Sequence, residues 1–482
     1  MDARSRRRWT KKETVAGVLA VAAASLVAGA PGCGSNHAAT APAPDADAGP
    51  AGALTTTELQ DPGACSGCHA QHYAQWSSSM HAYASIDPLF VAMNARAQRE
   101  TGGAIGAFCT QCHAPMAVRA VRLGDGGVRA PAGLPAAQNG VTCYFCHSVS
   151  AVNGDDDAPL VLASDGVLRG PIADPVTNVA HASTYSALHD QAQPQAASLC
   201  GACHDVTTSG GVAIERTFAE WKTSLYAQDT VQTLQTCSAC HMPGTEGTAA
   251  SPPNVVPTRT VHDHSVAGVD LARPLAPLPD EDAQATLVQA SLDTAIGAQL
   301  CVAKAPLGVT VTVTLDNGFV GHDWPSGAVH DRRAWVELVA SVLGGTVFSS
   351  GVVPNDQTSV ESIGDPNLWL FKETLYDAND ASVLFMWQAA SASPEQLPAV
   401  TTAEAPGATG PNNAVSKTYA IDAVVDDVTM RVRLLPVAIE VIQSLIASGD
   451  LDPSYLTSVS AFTLSGSQLE WNLGDDGYGC VP

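Results

Sequence analysis

The C-terminal third of the chain has the clearest alternation of apolar and polar residues. Val309 to Leu315 reads VTVTVTL, a period of two that places alternate side chains on opposite faces of a β-strand. Segments of similar character predict further strands at Trp335 to Leu343, Leu368 to Leu375, Val428 to Leu434 and Thr463 to Trp471. Asp316-Asn317-Gly318 predicts a hairpin-type turn, and Pro436 to Ser448 a helix. We therefore predict an all-β, sandwich-like domain over residues 306–482.

The preceding region, residues 58–265, has no comparable periodicity and is rich in Gly, Pro, Ala and Ser. Short helices are predicted at Ala70 to Tyr83, Leu89 to Arg99 and Thr217 to Tyr226. Residues 34–57 have the composition of a flexible linker, and residues 266–305 are predicted to connect the two domains. Aromatic residues make up only 5% of the chain, a count that is tolerable if bound groups supply apolar bulk in the interior.

Five copies of the pattern CxxCH lie in this region. Two cysteines separated by two residues and followed directly by histidine form the attachment sequence of a c-type haem, in which the thiols bond to the porphyrin and the histidine binds the iron. The copies are Cys65, Cys68 and His69; Cys109, Cys112 and His113; Cys143, Cys146 and His147; Cys200, Cys203 and His204; and Cys237, Cys240 and His241. CxxC also occurs in zinc, iron–sulfur and disulfide sites, but those sites do not require a histidine after every pair. We predict five covalently bound haems c, held in a domain of short helices and loops.

The chain has fourteen histidines, and nine lie outside the motifs. A second axial histidine on each iron gives a low-potential, six-coordinate haem suited to electron transfer. The predicted second ligands are His81, His181, His189, His262, His264 and His322. His72 is tethered too closely to His69 to reach the opposite side of that iron, and His330 is predicted to be structural.

The N-terminus predicts export. Basic residues between Arg4 and Lys12 precede an apolar run from Val15 to Ala30, the pattern of a secretory signal, and residues 1–33 are assigned to it. Cys33 is a candidate for lipidation and membrane attachment, with cleavage nearby and release as the alternative. Since c-type haem is attached outside the cytoplasmic membrane, we predict a location in the periplasm or at the outer membrane. Cys301 and Cys480 remain and are expected to form a disulfide, with free thiols as the alternative.

The net charge of −24 argues against binding to nucleic acid and suggests partners that present basic patches. Those partners are predicted to be other redox proteins, an electron donor and an acceptor. For Arg332 and Arg333, contact with a haem propionate and exposure on a strand are both considered.

Several segments resemble the multihaem cytochromes grouped with cytochrome c-554 and c-prime. The resemblance covers roughly Cys65 to Trp335 and is carried by CHAQHYAQWSSSMHA, GVTCYFCHSV, LCGACHDV, RTFAEWKTS, TCSACHMP and HDHSVAG. It implies that His81 and His264 are distal haem ligands. The segments GHDWPSG and RRAW are similar to β-domains that follow the haem region in some members. The namesake has four motifs where this chain has five, so its haem geometry does not transfer.

The leading functional hypothesis is an electron carrier that passes single electrons between redox partners through haems with two histidine ligands. The alternative is a multihaem reductase or oxidase of a small nitrogen or sulfur compound, which requires one iron with an open distal site. No CxxCK motif of the pentahaem nitrite reductases occurs in the sequence. A conductive filament built through the haems is a third hypothesis.

Overall fold

The computed structural model describes residues 53–120, 133–228, 234–251, 257–273, 276, 278–401 and 413–481. The predicted signal sequence, Cys33, and most of the predicted linker lie outside these ranges. Within them, no helix is both long enough and apolar enough to cross a membrane.

The region that carries the motifs consists of short helices and two-stranded pairings. Its helices are α1 Thr56–Gln60, α2 Ala70–Ser77, α3 Met80–Tyr83, α4 Pro88–Glu100, α5 Thr110–His113, α6 Pro115–Ala120, α7 Cys143–Ser148, α8 Gln195–Gly201, α9 Thr217–Thr223 and α10 Cys237–His241. Its strands are β1 Val149–Val152, β2 Leu160–Leu162, β3 Val167–Gly170, β4 Ala182–Tyr185, β5 Val206–Thr207, β6 Ala213–Glu215, β7 Gly244–Gly247 and β8 Arg259–His262. They pair as β1–β2, β3–β4, β5–β6 and β7–β8, and of these only β3–β4 is parallel.

The C-terminal region is built on two antiparallel sheets. Its strands are β9 Gly297–Ala305, β10 Gly308–Asp316, β11 Arg333–Val342, β12 Gly345–Ser350, β13 Trp369–Tyr376, β14 Ser382–Val383, β15 Ser391–Glu395, β16 Ala414–Ile421, β17 Asp427–Leu435, β18 Phe462–Asn472 and β19 Gly479–Val481. Its helices are α11 Glu281–Asp293, α12 Ile439–Ala447, α13 Ser454–Thr457 and α14 Leu473–Asp476. Single 3-10 turns occur at Pro62–Cys65, Ala136–Gln138, Leu225–Ala227, Val329–Asp331, Val360–Ile363 and Met386–Gln388. One sheet has the order β16-β10-β9-β19, and the other follows β14-β13-β11-β17-β18, with β12 beside β11 and β15 beside β13.

The alternating valines and threonines of β10 lie on opposite faces of the strand, as the sequence predicted. Its four apolar side chains are buried, while its threonines face outward, where Thr312 and Thr314 meet Thr418 and Ser416 of β16. The buried side chains of β10 pack in one core with those of β11 and β17 from the second sheet. The C-terminal region is therefore β-rich, with two antiparallel sheets around a shared apolar core, as the alternation predicted.

Asp316-Asn317-Gly318 does not form the predicted hairpin turn. β10 pairs with β9 and β16, and the chain after Asp316 enters a long loop that returns toward the motif region. Asn317 is fully buried, and its side-chain amide donates to the carbonyls of His322 and Leu397 at 2.8 and 3.2 Å. Asn317 therefore stabilises a loop from a buried position, whereas the sequence had predicted that it lies in an exposed turn.

Other differences concern the ends of elements. The predicted helix at residues 70–83 is interrupted, because Ser79 caps α3 by accepting from the backbone N–H of Ala82. The helix predicted to end at Tyr226 ends at Thr223 and continues as a 3-10 turn. Residues 297–305, placed in the connector by sequence, form β9, a central strand of the first sheet.

Cys301 and Cys480 form the predicted disulfide, which joins β9 to β19. The bond closes a loop with a sequence separation of 179, and loop-closure entropy for such a span corresponds to about 5 kcal/mol at most. We expect the Cys301→Ser, Cys480→Ser double variant to unfold at lower urea concentration, with a loss of roughly 2–5 kcal/mol. The check is urea unfolding of oxidised wild type, reduced wild type and the double variant. Equal midpoints for all three would contradict the prediction.

Candidate functional site

A cavity of about 1570 Å³ extends through the motif region and reaches the loop between β10 and β11. The cysteine and histidine side chains of all five CxxCH motifs line it. So do the six histidines predicted as second ligands, which come from five different segments of the chain. The fold therefore brings all of these residues to one cavity, although Cys65 and His322 are 257 positions apart in the sequence.

Local structure explains how each motif presents its side chains. Within the motif the backbone follows a helical turn, and the N–H of His69 donates to the carbonyl of Cys65 at 2.8 Å. The equivalent distances for His113 and His204 are 3.3 and 3.1 Å. Residues three and four apart lie on the same side of a helical turn, so one turn aims two thiols and an imidazole in a common direction.

Each motif histidine is fixed by a bond at its Nδ1 atom, which leaves Nε2 for a metal. In four motifs the partner of Nδ1 is a backbone carbonyl. These contacts are His69 to Ala249 at 2.6 Å, His113 to Ala84 at 3.0 Å, His147 to Arg169 at 2.5 Å and His241 to Ala267 at 2.9 Å. In the fourth motif the partner is a carboxylate, since Nδ1 of His204 lies 3.1 Å from Oε1 of Glu215. A hydrogen bond to the second nitrogen fixes the tautomer and orientation of a metal-binding histidine.

Three motif histidines face a second imidazole at a common distance. The ring centroids are 6.2 Å apart for His69 and His181, 6.3 Å for His204 and His81, and 6.3 Å for His147 and His264. Bonds from imidazole nitrogen to a metal are about 2 Å long, so a metal held between two imidazoles separates their ring centres by roughly 6 Å. The three pairs therefore have the separation that a shared metal requires.

The other two motif histidines have no such pair among the described residues. His322 is close enough to His241 to interact with it electrostatically, and its Nδ1 donates to the carbonyl of Asp323 at 2.8 Å. His113 instead stacks against Phe90, with ring centroids 3.9 Å apart and an interplanar angle of 4°.

The remaining histidines near the cavity differ in what their nitrogens contact. Nε2 of His189 lies 2.9 Å from the carbonyl of Cys146, so this nitrogen is directed at the backbone. His262 uses Nδ1 to contact the carbonyl of Met242 at 3.1 Å. His72 packs edge-on against His264 at 4.8 Å. His330 is buried between Glu373 and Asp331 at 3.6 and 3.7 Å, in agreement with a structural role.

The electrostatic environment keeps most of these imidazoles neutral. Burial lowers the pKa of His81 to about 4, of His264 to about 3 and of His322 to about 4. The neutral imidazole is the form that binds a metal. His204 differs: burial acts to lower its pKa, but the carboxylate of Glu215 prevails and raises that pKa to about 9.

Thiols of different motifs also lie close together, which was not foreseen from the sequence. Cys65 and Cys143, Cys112 and Cys203, and Cys200 and Cys237 lie close enough for each thiol to shift the pKa of its neighbour. These pairs place the first motif beside the third, the second beside the fourth, and the fourth beside the fifth. Both thiols of the fourth motif also affect the pKa of Cys146, so the fourth motif is close to the second, the third and the fifth.

Two glycines allow close approach around the cavity. Gly140 has a φ of +68°, and a Cβ there would lie 2.5 Å from the carbonyl oxygen of His81. The same carbonyl accepts from the N–H of Val141 at 2.8 Å, which ties the His81 segment to the third motif. Gly201, inside the fourth motif, is covered by the ring of Phe218, where a Cβ would lie 2.3 Å away. A side chain at residue 140 would displace the His81 segment, and one at residue 201 would displace the ring of Phe218.

Arg332 and Arg333 are buried, which excludes the exposed strand position considered from the sequence. Arg332 binds Asp270 through two nitrogens at 3.0 and 3.1 Å and donates to the carbonyl of Ser326 at 2.8 Å. Arg333 pairs with Glu361 and Glu440, both at 2.6 Å. Arg332 lies on the cavity wall, whereas Arg333 joins the 3-10 turn before β11 to α12.

The donor set fits haem c. In the described part of the chain, no group of three or more His, Cys, Asp or Glu side chains is placed to hold a bare metal ion. The motifs instead offer paired thiols and one oriented imidazole each, the donors that haem c requires because the porphyrin provides the other four ligands. The cavity wall is predominantly apolar, as a porphyrin face requires.

Comparisons with known proteins agree with this arrangement. Residues 64–148 match the family model described as cytochrome c554 and c-prime. Among solved structures, the chain is similar to a penta-heme cytochrome c552 from Thermochromatium tepidum, at 18% identity and a TM-score of 0.56. The alignment covers 88% of this chain and 100% of the other, and at this identity the likeness concerns the fold. A search of curated proteins found no match. Both the family match over residues 64–148 and the likeness in fold are to c-type cytochromes, in agreement with the haem attachment that the five CxxCH motifs predict.

Proposed function

We propose that this cytochrome is an exported electron carrier that binds five haems c and transfers electrons between redox partner proteins. The observation that supports this most strongly is that all fifteen motif residues line one continuous cavity. Haem c supplies a one-electron centre whose potential follows its axial ligands and surroundings. The structural neighbour is described as a penta-heme protein, which supports the number five.

We propose His181 opposite His69, His264 opposite His147 and His81 opposite His204, because each pair has the separation of a shared metal. Two other rings are equally near: His72 lies 6.2 Å from His69, and His189 lies 5.6 Å from His147. We do not assign them because His72 is tethered too closely to His69 and because Nε2 of His189 contacts a carbonyl. The resemblance of the sequence to the c-554 group had implied His81 and His264.

The assignment of the other spare histidines rests on weaker geometry. We propose His322 for the iron of His241, because both line the cavity, the Nδ1 of each is held by a carbonyl, and His204 is already paired with His81. His262 remains a proposed ligand because its contact with Met242 uses Nδ1. Since Nε2 of His189 contacts a carbonyl, we propose that this residue, predicted as a ligand, supports the third motif instead.

Export and partner choice extend the proposal. The N-terminal basic and apolar segments support secretion to the periplasm, and Cys33 is the proposed site of lipid attachment at the outer membrane. The net charge of −24 supports docking to donor and acceptor proteins through their basic surfaces.

A reductase or oxidase remains the second candidate, and one observation bears on it. In the described ranges, the ring stacked on His113 is the phenyl group of Phe90 and not an imidazole. Phe90 covers the motif histidine itself, and among the described residues no second imidazole pairs with His113 at the separation of a shared metal, so an iron at the second motif is where an open distal site would occur.

The experiment that separates the two functions is an optical and EPR survey of the oxidised protein, repeated with cyanide and nitrite. For the carrier, we expect low-spin ferric signals to dominate and to remain unchanged when the small ligands are added. A high-spin signal that shifts with nitrite and accompanies turnover would favour the enzyme. Mostly high-spin irons would contradict the carrier.

A further inference from the structure

The hydrogen-bond partner of the motif histidine differs in one of the five motifs. Four motif histidines direct Nδ1 at neutral backbone carbonyls, whereas His204 directs it at the carboxylate of Glu215 at 3.1 Å. A hydrogen bond to a charged acceptor is stronger than one to a neutral carbonyl, and it makes the imidazole a more basic ligand. We propose that Glu215 lowers the reduction potential of the haem at the fourth motif, acting through His204.

The fold places Glu215 beside His204 by a short hairpin. β5 begins two residues after His204, and Val206 pairs with Glu215 at the end of β6. The hairpin thus brings the carboxylate of Glu215 back beside His204, the last residue of the fourth motif. Ring and carboxylate both line the cavity.

Among the charged side chains around Glu215, His204 makes the direct contact. Within 4 Å in the described part of the chain, the ion-pair partner of Glu215 is His204. Arg332 faces Glu215 from the β10–β11 loop, but its two terminal nitrogens bind Asp270.

The physical consequence is a shift in one potential. A more basic axial imidazole stabilises ferric over ferrous iron, so the haem that carries it is reduced at a lower potential than an otherwise equal haem with a carbonyl partner. Because the thiols of the fourth motif lie close to those of the second, third and fifth, this haem is the junction of the array, and Glu215 would set how readily the junction accepts an electron.

The test compares Glu215→Gln with Glu246→Gln in the full, haem-loaded protein. The first variant keeps a hydrogen-bond acceptor near Nδ1 but removes the charge. The second removes the same charge from an exposed position in β7. Because the inference rests on the proposed function, the number of haems is first counted by intact mass. Spectroelectrochemical titration then resolves the component potentials.

We expect E215Q to raise one component so that its ratio of reduced to oxidised haem increases at least tenfold at a fixed potential, about 59 mV for a one-electron couple. The other components, and all components of E246Q, should match wild type. Unchanged potentials in a fully loaded E215Q protein would overturn the inference without touching the haem assignment. If E215Q does not mature, the component potentials of the wild-type protein are the test. One potential must then lie at least about 59 mV below the others, and potentials that overlap would overturn the inference.

Discussion

Without attached haem, residues 58–265 should not hold the structure described above. The cavity of about 1570 Å³ would be an empty, largely apolar space. Its apolar wall would then meet water and lose the hydrophobic free energy of roughly 25 cal/mol per Å² that contact with haem supplies, in a chain whose domains are stable by only about 5–15 kcal/mol. Haem attachment is therefore expected to be a condition of folding for this region.

Hydrogen exchange of the full chain, produced with and without haem maturation, tests this expectation. In the haem-free chain, amides of α2, α7 and α9 should exchange rapidly. Amides of β10, β11 and β17 should stay protected because their core is made within the β-region, so they serve as the internal control. Equal protection of the motif region in both samples would show that side-chain packing alone supports it.

Replacing a second axial histidine should open one iron and leave the others unchanged. In His81→Ala we expect the haem at the fourth motif, and in His264→Ala the haem at the third motif, to change from low-spin to high-spin. Each variant should gain one cyanide-binding site and show one raised potential, because the iron has lost a strong ligand. EPR of the oxidised proteins with and without cyanide measures the spin change and the cyanide binding, and spectroelectrochemical titration measures the potential.

His189→Ala is the matched control for these variants. This residue lines the same cavity, but its Nε2 contacts the carbonyl of Cys146. We expect the control to keep the low-spin signals of wild type. A high-spin iron in the control, or none in His81→Ala and His264→Ala, would show that the axial assignments are wrong.

The elements that sequence predicted well are those whose signal is local. The alternation in β10 requires only that one face of a strand be buried, and the structure buries that face. Each CxxCH motif likewise depends on one turn of backbone, so its orientation follows from spacing alone. By contrast, β16 was missed, although Tyr419 and Ile421 alternate on its buried face, because its polar residues gave the segment a weak apolar signal.

The pairings that make the site could not be predicted because they join distant segments. His69 and His181 meet through the tertiary fold, and nothing near either residue specifies the other. The role of Glu215 was also missed, although the sequence TTSGGVAIE contains a glycine-rich turn between two short strands that would bring it back toward His204. For Asn317, the local turn signal was misleading because buried hydrogen bonds in the loop outweighed it.

Intact mass spectrometry of the mature protein tests the central claim most directly. If every CxxCH motif binds a porphyrin through both thiols, the measured mass must exceed that of the processed polypeptide by five haem groups, and the added mass must survive denaturation. A mature protein that carries fewer than five covalent haems would contradict the account.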